Sequence, residues 1–211
     1  MPLTPGYGET PLPHDELTAL LPAVLDILGK PITHAAIYDL EQGLQDQVFD
    51  ELMPPALDGS LPLDELLSDD FVRKLHTQMF GPVWSWAGRW RRLELNIGVA
   101  PEQIAVELRN ALDTIAYRWE HTDDWTPRQL GIAVHAETVR IHPFTDGNGR
   151  TTRFLADLVF AAAQDPSELQ YDWELDKTRY IELLRAYDGH RNVADLAAFV
   201  SVEPIEPSTS D

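Results

Sequence analysis

Residues His142 to Arg153 read H-P-F-T-D-G-N-G-R-T-T-R, between two apolar stretches that both carry helical spacing. Upstream, Thr126-Pro127 is a helix start, a capping hydroxyl followed by Pro at the first helical position. Leu130, Ala133, Val134 and Ile141 then fall on one stripe, and Ile132, Ala136 and Val139 widen it, which predicts a helix buried on more than one side. Downstream, a second buried helix is expected from about Gly149 through Phe154, Leu155, Leu158, Val159 and Ala162, ending at Asp165-Pro166. Pro143 and the Gly147/Gly149 pair make the junction an irregular loop, with Phe144 turned into the core to fix it.

The junction has the makings of an anion site. Gly147 and Gly149, around Asn148, let backbone N–H groups turn inward and approach an anion closely. The N-terminus of the second helix adds positive dipole character. Arg150 and Arg153 lie three apart, so they share a helix face and can clamp phosphates. Asp146 precedes the glycines, and a lone carboxylate beside bound phosphates suits Mg²⁺, whose other positions water and phosphate oxygens fill. His142 is the side chain here whose ordinary pKa suits proton transfer near neutrality. Taken singly, these residues read as a structural histidine, a turn and two surface arginines. Together they read as a phosphoryl or nucleotidyl transfer site.

Outward from this segment the pattern stays mainly helical. His14–Leu28 has apolar residues at helical spacing, with Pro22 as a break. A helix is expected after Thr33 through Ile37, Leu40, Leu44 and Val48 toward Leu52, and Pro54 to Pro62 reads as a loop. Ser68 or Asp69 caps a helix carrying Phe71, Leu75 and Met79. Trp84, Trp86 and Trp90 read as core aromatics. In Arg91–Val99 (RRLELNIGV), Leu93, Leu95 and Ile97 alternate with polar residues, as in an exposed strand or hairpin. Pro101–Trp119 is an amphipathic helix, and a last helical pair covers Thr178–Tyr187 and Val193–Val200. The tail EPIEPSTSD and the Pro- and Gly-rich residues 1–13 are expected to be irregular or disordered. The organisation is thus an acidic helical extension at 1–64, a main domain at 65–200 and a disordered tail at 201–211.

The chain has 211 residues and a formal net charge of -19. Such a surface repels nucleic-acid phosphates, so DNA or RNA is not an expected partner. Up to Asp70 the only Lys or Arg is Lys30, so the acidity concentrates in the extension. With no Cys, disulfides and cysteine zinc sites are excluded. The start of the chain has no basic-then-apolar run, and no apolar stretch approaches a membrane span. A cytoplasmic protein with no membrane partner is expected.

The segment matches H-x-F-x-[D/E]-G-N-G-R-x-x-R, the signature of the Fic family, without a departure. Met79–Gly88 (MFGPVWSWAG) and Asn96–Leu112 (NIGVAPEQIAVELRNAL) also resemble a small bacterial Fic subfamily sometimes called mobile mystery protein B. The resemblance implies a mainly α fold, a Fic-type helical core with a short β-hairpin flap over the active site. It implies a protein adenylyltransferase that moves AMP from ATP to a Tyr, Thr or Ser hydroxyl of a target protein. His142 would be the base and Asp146 would hold Mg²⁺. Gly147, Asn148 and Gly149 would form the anion hole, with Asn148 on the α-phosphate, and Arg150 and Arg153 would bind the outer phosphates. The flap residues Leu93, Glu94, Leu95, Asn96 and Ile97 would dock the target by strand addition, and Tyr180 would line the adenine pocket. Transfer of phosphate or UMP on the same fold, or a non-catalytic nucleotide-binding module, are the competing readings.

Many Fic enzymes are restrained by a helix bearing S/T-x-x-x-E-G or E-N, whose Glu occupies the second motif arginine, here Arg153. No Glu in this chain is followed by Gly or Asn. The restraint is then a separate protein, such as the antitoxin or helix-turn-helix companion the subfamily implies, or an atypical helix. Glu41, on the acidic N-terminal helix, is the candidate for the latter, against the plain reading of a surface carboxylate.

Overall fold

The computed structural model describes residues 17–28, 32–164 and 168–205. Nine helices are found among them: α1 Pro22–Ile27, α2 His34–Leu57, α3 Leu63–Leu66, α4 Asp69–Phe80, α5 Ile104–His121, α6 Pro127–Ile141, α7 Asn148–Ala163, α8 Lys177–His190 and α9 Ala194–Phe199. Their starts follow local chemistry. Thr33 accepts from the Ala36 N–H, Ser68 from the Phe71 N–H and Asp176 from the Arg179 N–H, each capping its helix. Thr126 and Gln129 form a reciprocal capping box ahead of Pro127.

The expected buried pair is the centre of the fold. Helices α6 and α7 pack along each other, joined by the 142–147 loop. Helix α5 covers α6 on one side, while α2, α3 and α4 pack on α7. Helices α8 and α9 close the other side of α6. Helix α7 is buried nearly all round, with Phe154, Leu155, Leu158, Val159 and Phe160 in the core and Thr151, Thr152 and Asp157 enclosed with them. One hydrophobic cluster runs from Leu20 to Val200, so α1 and α2 pack on the same core as the rest. The site loop is therefore held between two rigid helices.

Three expectations are corrected. Helix α2 runs through Pro54 and Pro55 to Leu57, where a loop was expected. The two prolines cost the last turns their N–H donors, but the Asp58 N–H still bonds the Pro54 carbonyl and Met53 and Ala56 stay buried, so packing outweighs propensity. Residues 91–99 form no strand ladder; they are an exposed loop in a hairpin's place. The sheet among the described residues lies elsewhere, where β1 (Leu169–Tyr171) pairs antiparallel with β2 (Val202–Pro204), Tyr171 opposite Val202. Strand β2 thereby orders the first residues of the expected tail. The break expected at Pro22 is found: α1 begins there, because Pro is tolerated in a first helical turn and not further in, and residues 14–16 of the expected helix lie outside the described residues. Residues 1–13 and the last part of the tail lie outside the described residues.

Candidate active site

Helix α6 ends at His142, which takes a left-handed conformation with φ 53° and ψ 63°. That turn breaks the helix and swings the chain into the loop, where the Phe144 ring is fully buried. Asn148 closes the loop on itself. Its Oδ1 accepts from the Phe144 N–H at 2.9 Å and its Nδ2 donates to the Phe144 carbonyl at 2.8 Å. Each end of its amide thus has a partner within the loop, and the residue is buried.

Helix α7 then starts without a side-chain cap. The Thr151 N–H bonds back to Gly147, but the N–H groups of Asn148, Gly149 and Arg150 have no preceding turn to bond to. Such open N–H groups at a helix start are suited to receive an anion. Gly147 has φ 74°, and a Cβ there would lie 2.7 Å from the Phe80 ring. Gly147→Ala is expected to cost about 2–4 kcal/mol, a left-handed penalty plus overpacking. Thermal denaturation checks this, and an unchanged midpoint would show that Phe80 yields freely.

His142, Asp146, Gly147, Asn148, Gly149, Arg150 and Arg153 line one cavity of about 520 Å³, with Tyr38 and Gln42 of α2 opposite. Burial and the Arg91 charge lower the His142 pKa, opposed by the Val139 carbonyl and the Asp146 charge, so the imidazole is neutral and basic at pH 7. Asp146 is exposed, with its Oδ1 accepting the Gly147 N–H at 2.7 Å and no ion pair among the described residues. Those residues hold no cluster of three or more acidic or histidine side chains. One open carboxylate beside an anion cradle fits Mg²⁺, which takes its remaining ligands from phosphate and water.

The expected surface position of Glu41 is wrong. Its carboxylate is 2% exposed, accepts from the Trp84 Nε1–H at 2.5 Å and forms an ion pair with Arg150. Arg150 also lies over the Phe80 ring at 4.6 Å. The contact is with the first motif arginine, not Arg153 as the resemblance implies. Arg153 donates to the Gly149 carbonyl at 3.1 Å and forms no ion pair among the described residues.

Of the flap residues, Leu93 borders a neighbouring cleft of about 580 Å³ with Trp84, Trp86, Glu41 and Asp146. Leu95 and Ile97 project into solvent, as do Glu94 and Asn96. Tyr180 does not line the motif cavity; its hydroxyl meets His135 Nε2 at 2.6 Å.

Three residues escaped the sequence reading. Arg91 is buried at the root of the flap, and Gly98 at its other end has φ 89°. His76 of α4 is also buried. Its Nδ1 accepts the Gly88 N–H at 2.9 Å, so Nε2 carries the proton and donates to the Asp146 carbonyl at 3.1 Å, with the ring stacked on Phe144. The R-W-R and S-W-A-G runs offered only a Gly and an isolated buried charge as signals.

Burial pushes both His76 and His135 down to about 4. The unfolded imidazoles bind protons below their ordinary 6.5 while the folded ones do not. Stability from this source is complete above pH 6.5, falls as the pH drops and levels off near 4. Asp157, raised by burial to about 7, acts oppositely: its contribution is full below 3.8 and is lost as pH rises through 7. His135→Gln is expected to remove about 3 kcal/mol of the acid-side loss. Thermal midpoints from pH 7 to 4 measure it, and an equally steep acid limb in the variant would refute the assignment.

The mainly helical fold thus brings a histidine, a carboxylate and an arginine-flanked helix N-terminus to one cavity. Residues 66–160 match the Fic/DOC family. Protein adenylyltransferase fic-1 of Caenorhabditis elegans is 34% identical over 110 residues, 49% of this chain and 21% of that one. Protein adenylyltransferase Fic of Nematostella vectensis is 28% identical over 107 residues, 48% of this chain and 25% of that one. The matches thus span about a fifth to a quarter of these relatives. In fold, the chain is similar to the N-terminal Fic domain of a VirB-translocated Bep effector protein from Bartonella quintana with bound ADP. The TM-score is 0.58 at 16% identity, covering 84% of this chain and 89% of that one. It is also similar to the BepC protein of Bartonella tribocorum with bound AMPPNP, with TM-score 0.52 at 16% identity, covering 77% and 88%. No helix among the described residues is long and apolar enough to cross a membrane.

Proposed function

We propose that this chain is a protein adenylyltransferase, moving AMP from ATP to a Tyr, Thr or Ser hydroxyl of a target protein. The observation that carries the reading is that His142, Asp146, the start of α7, Arg150 and Arg153 line a single cavity. The target hydroxyl oxygen attacks the α-phosphorus, and the neutral His142 imidazole accepts its proton. The bond from the α-phosphorus to the oxygen bridging to the β-phosphate breaks, and pyrophosphate leaves with the electron pair. The backbone N–H groups of the α7 N-terminus stabilise charge gathering on the non-bridging oxygens, while Arg150 and Arg153 hold the leaving phosphates. Asp146 would hold Mg²⁺, which would supply neutralisation of the phosphate charge. The exposed edge of residues 93–97 offers a target backbone its partners.

The names and bound nucleotides of the relatives support this reading. ATP labelled in turn at the α- and γ-phosphate, given to the protein with Mg²⁺ and a lysate, tests it. Protein labelling from the α-position alone is expected; labelling from the γ-position alone would replace AMP transfer with phosphate transfer. A toxin role in the cytoplasm of a bacterium, with a separate antitoxin or helix-turn-helix companion, belongs to the same proposal, and copurification from the native host tests the companion.

A further inference from the structure

The loop at 91–99 has almost no contacts of its own. Six of its residues from Arg92 to Ile97 are exposed, with Leu93 at 74% and Ile97 at 53%. It forms no strand ladder that would fix its direction. Yet both of its feet are held, and on one place. The Val99 N–H donates to the Ile141 carbonyl at 3.3 Å and the Arg91 N–H to the Pro143 carbonyl at 2.9 Å. Between them, Arg91 Nε donates to the carbonyl of His142 at 2.7 Å. Three successive carbonyls, 141, 142 and 143, thus accept from the two feet of the loop.

The same guanidinium also ties the feet to each other. Its Nη1 donates to the Leu93 carbonyl at 3.0 Å and its Nη2 to the Val99 carbonyl. The side chain is 3% exposed and forms no ion pair among the described residues, so its charge is met by carbonyl oxygens. Burying an arginine against carbonyls alone is costly, which marks a position where the geometry of the fork is needed. Gly98 completes the arrangement. A Cβ there would meet the Arg91 Nη2 and the His142 Cβ, each at 2.7 Å, and the Ile141 carbonyl at 2.9 Å. Only glycine lets the second foot lie this close to the base. Meanwhile His142 sits in a left-handed conformation that a β-carbon disfavours, so something outside its own helix must hold it.

We propose that Arg91 is a positioning residue for His142: its guanidinium clamps both feet of the 91–99 loop onto the His142 turn, so that loop and base form one unit. The inference rests on the adenylyltransferase reading for its consequence in catalysis, but the clamp itself is testable without it. A target strand laid on this loop is thereby placed at a fixed distance from the imidazole that takes its proton. Arg91 does not line the motif cavity. Its loss therefore acts on the rate of transfer and not on the nucleotide.

The test uses the full chain with Arg91→Lys, whose single ammonium keeps the charge but cannot bridge three carbonyls, and Arg91→Met, which keeps the apolar stem. In both, hydrogen exchange at amides 91–99 and at His142 is expected to rise, while α6 and α7 keep their protection. ADP affinity stays at the wild-type value. The maximal rate of α-phosphate labelling falls about 100-fold, as for a base displaced by about 1 Å, with KM for ATP unchanged. Wild-type exchange in the loop of both variants would overturn the clamp, and so would protection lost equally through α6 and α7, which would make Arg91 a general core residue. If the wild-type chain labels nothing from ATP but the loop opens in the variants, the clamp stands and the adenylyltransferase reading fails.

Discussion

His142→Ala is expected to lower AMP transfer by about 10²- to 10⁴-fold, the usual share of a positioned general base, while ATP still binds. The imidazole lines the cavity but is not part of the anion cradle, whose donors are backbone N–H groups of α7 and the two arginines. Removing it takes away proton transfer and leaves phosphate binding. The lowered pKa adds a second signature. Wild-type activity is expected to be flat at neutral pH and to fall only as the pH drops below His142's ordinary 6.5, because the protonated ring cannot accept a proton. One complication is conformational: His142 has φ 53°, and Ala at such a position costs about 1 kcal/mol. His142→Asn, which tolerates the left-handed region better, separates strain from chemistry. Initial rates of α-phosphate labelling, with thermal midpoints beside them, decide the matter. Activity near the wild-type level in a folded Asn variant would remove His142 from the mechanism.

The site was legible as far as it is local. From His142 to Arg153 the base, carboxylate, cradle and arginines sit in one stretch whose helix signals flank it on both sides, so spacing alone brought them together. The two central helices were readable for the same reason, since wide apolar faces leave them almost no exposed position. What escaped is whatever depends on residues far apart in the chain. Glu41 meets Arg150 across 109 positions and Arg91 meets His142 across 51. Neither carries a local sign, because a glutamate on an acidic helix and an arginine in a basic run look like surface. The alternation of Leu93, Leu95 and Ile97 failed differently. It marked a strand, but those side chains have no sheet to pack on, and the feet of the loop are fixed by a side chain instead of a ladder. In α2 the prolines predicted a break that tertiary packing overrode, and at β2 a chain end was ordered by pairing with β1.

Glu41→Gln is expected to raise the affinity for ATP and the rate of AMP transfer by about tenfold or more, each factor of ten being about 1.4 kcal/mol. Glu41 is buried against the first motif arginine, Arg150, which lines the motif cavity, while Glu41 itself borders the neighbouring cleft. While that pair holds, the Arg150 guanidinium is engaged and its charge is partly neutralised behind the cavity wall. Gln keeps an oxygen for the Trp84 Nε1–H and removes the charge, so the cost to folding is expected to stay near 1–3 kcal/mol, that of a weakened buried hydrogen bond. Glu41→Ala leaves the Trp84 donor without its acceptor and is expected to cost more. Arg150 itself is 28% exposed and can turn to water, or to phosphate, once released. Calorimetric titration with ATP and Mg²⁺, together with α-phosphate labelling, measures both effects. Because Arg153 forms no ion pair among the described residues, Glu41 acts on one arginine of the two, and ATP binding to the wild-type chain is expected to be weakened, not abolished. A folded Gln variant with wild-type affinity and rate would leave Glu41 as a strut for Trp84 and nothing more.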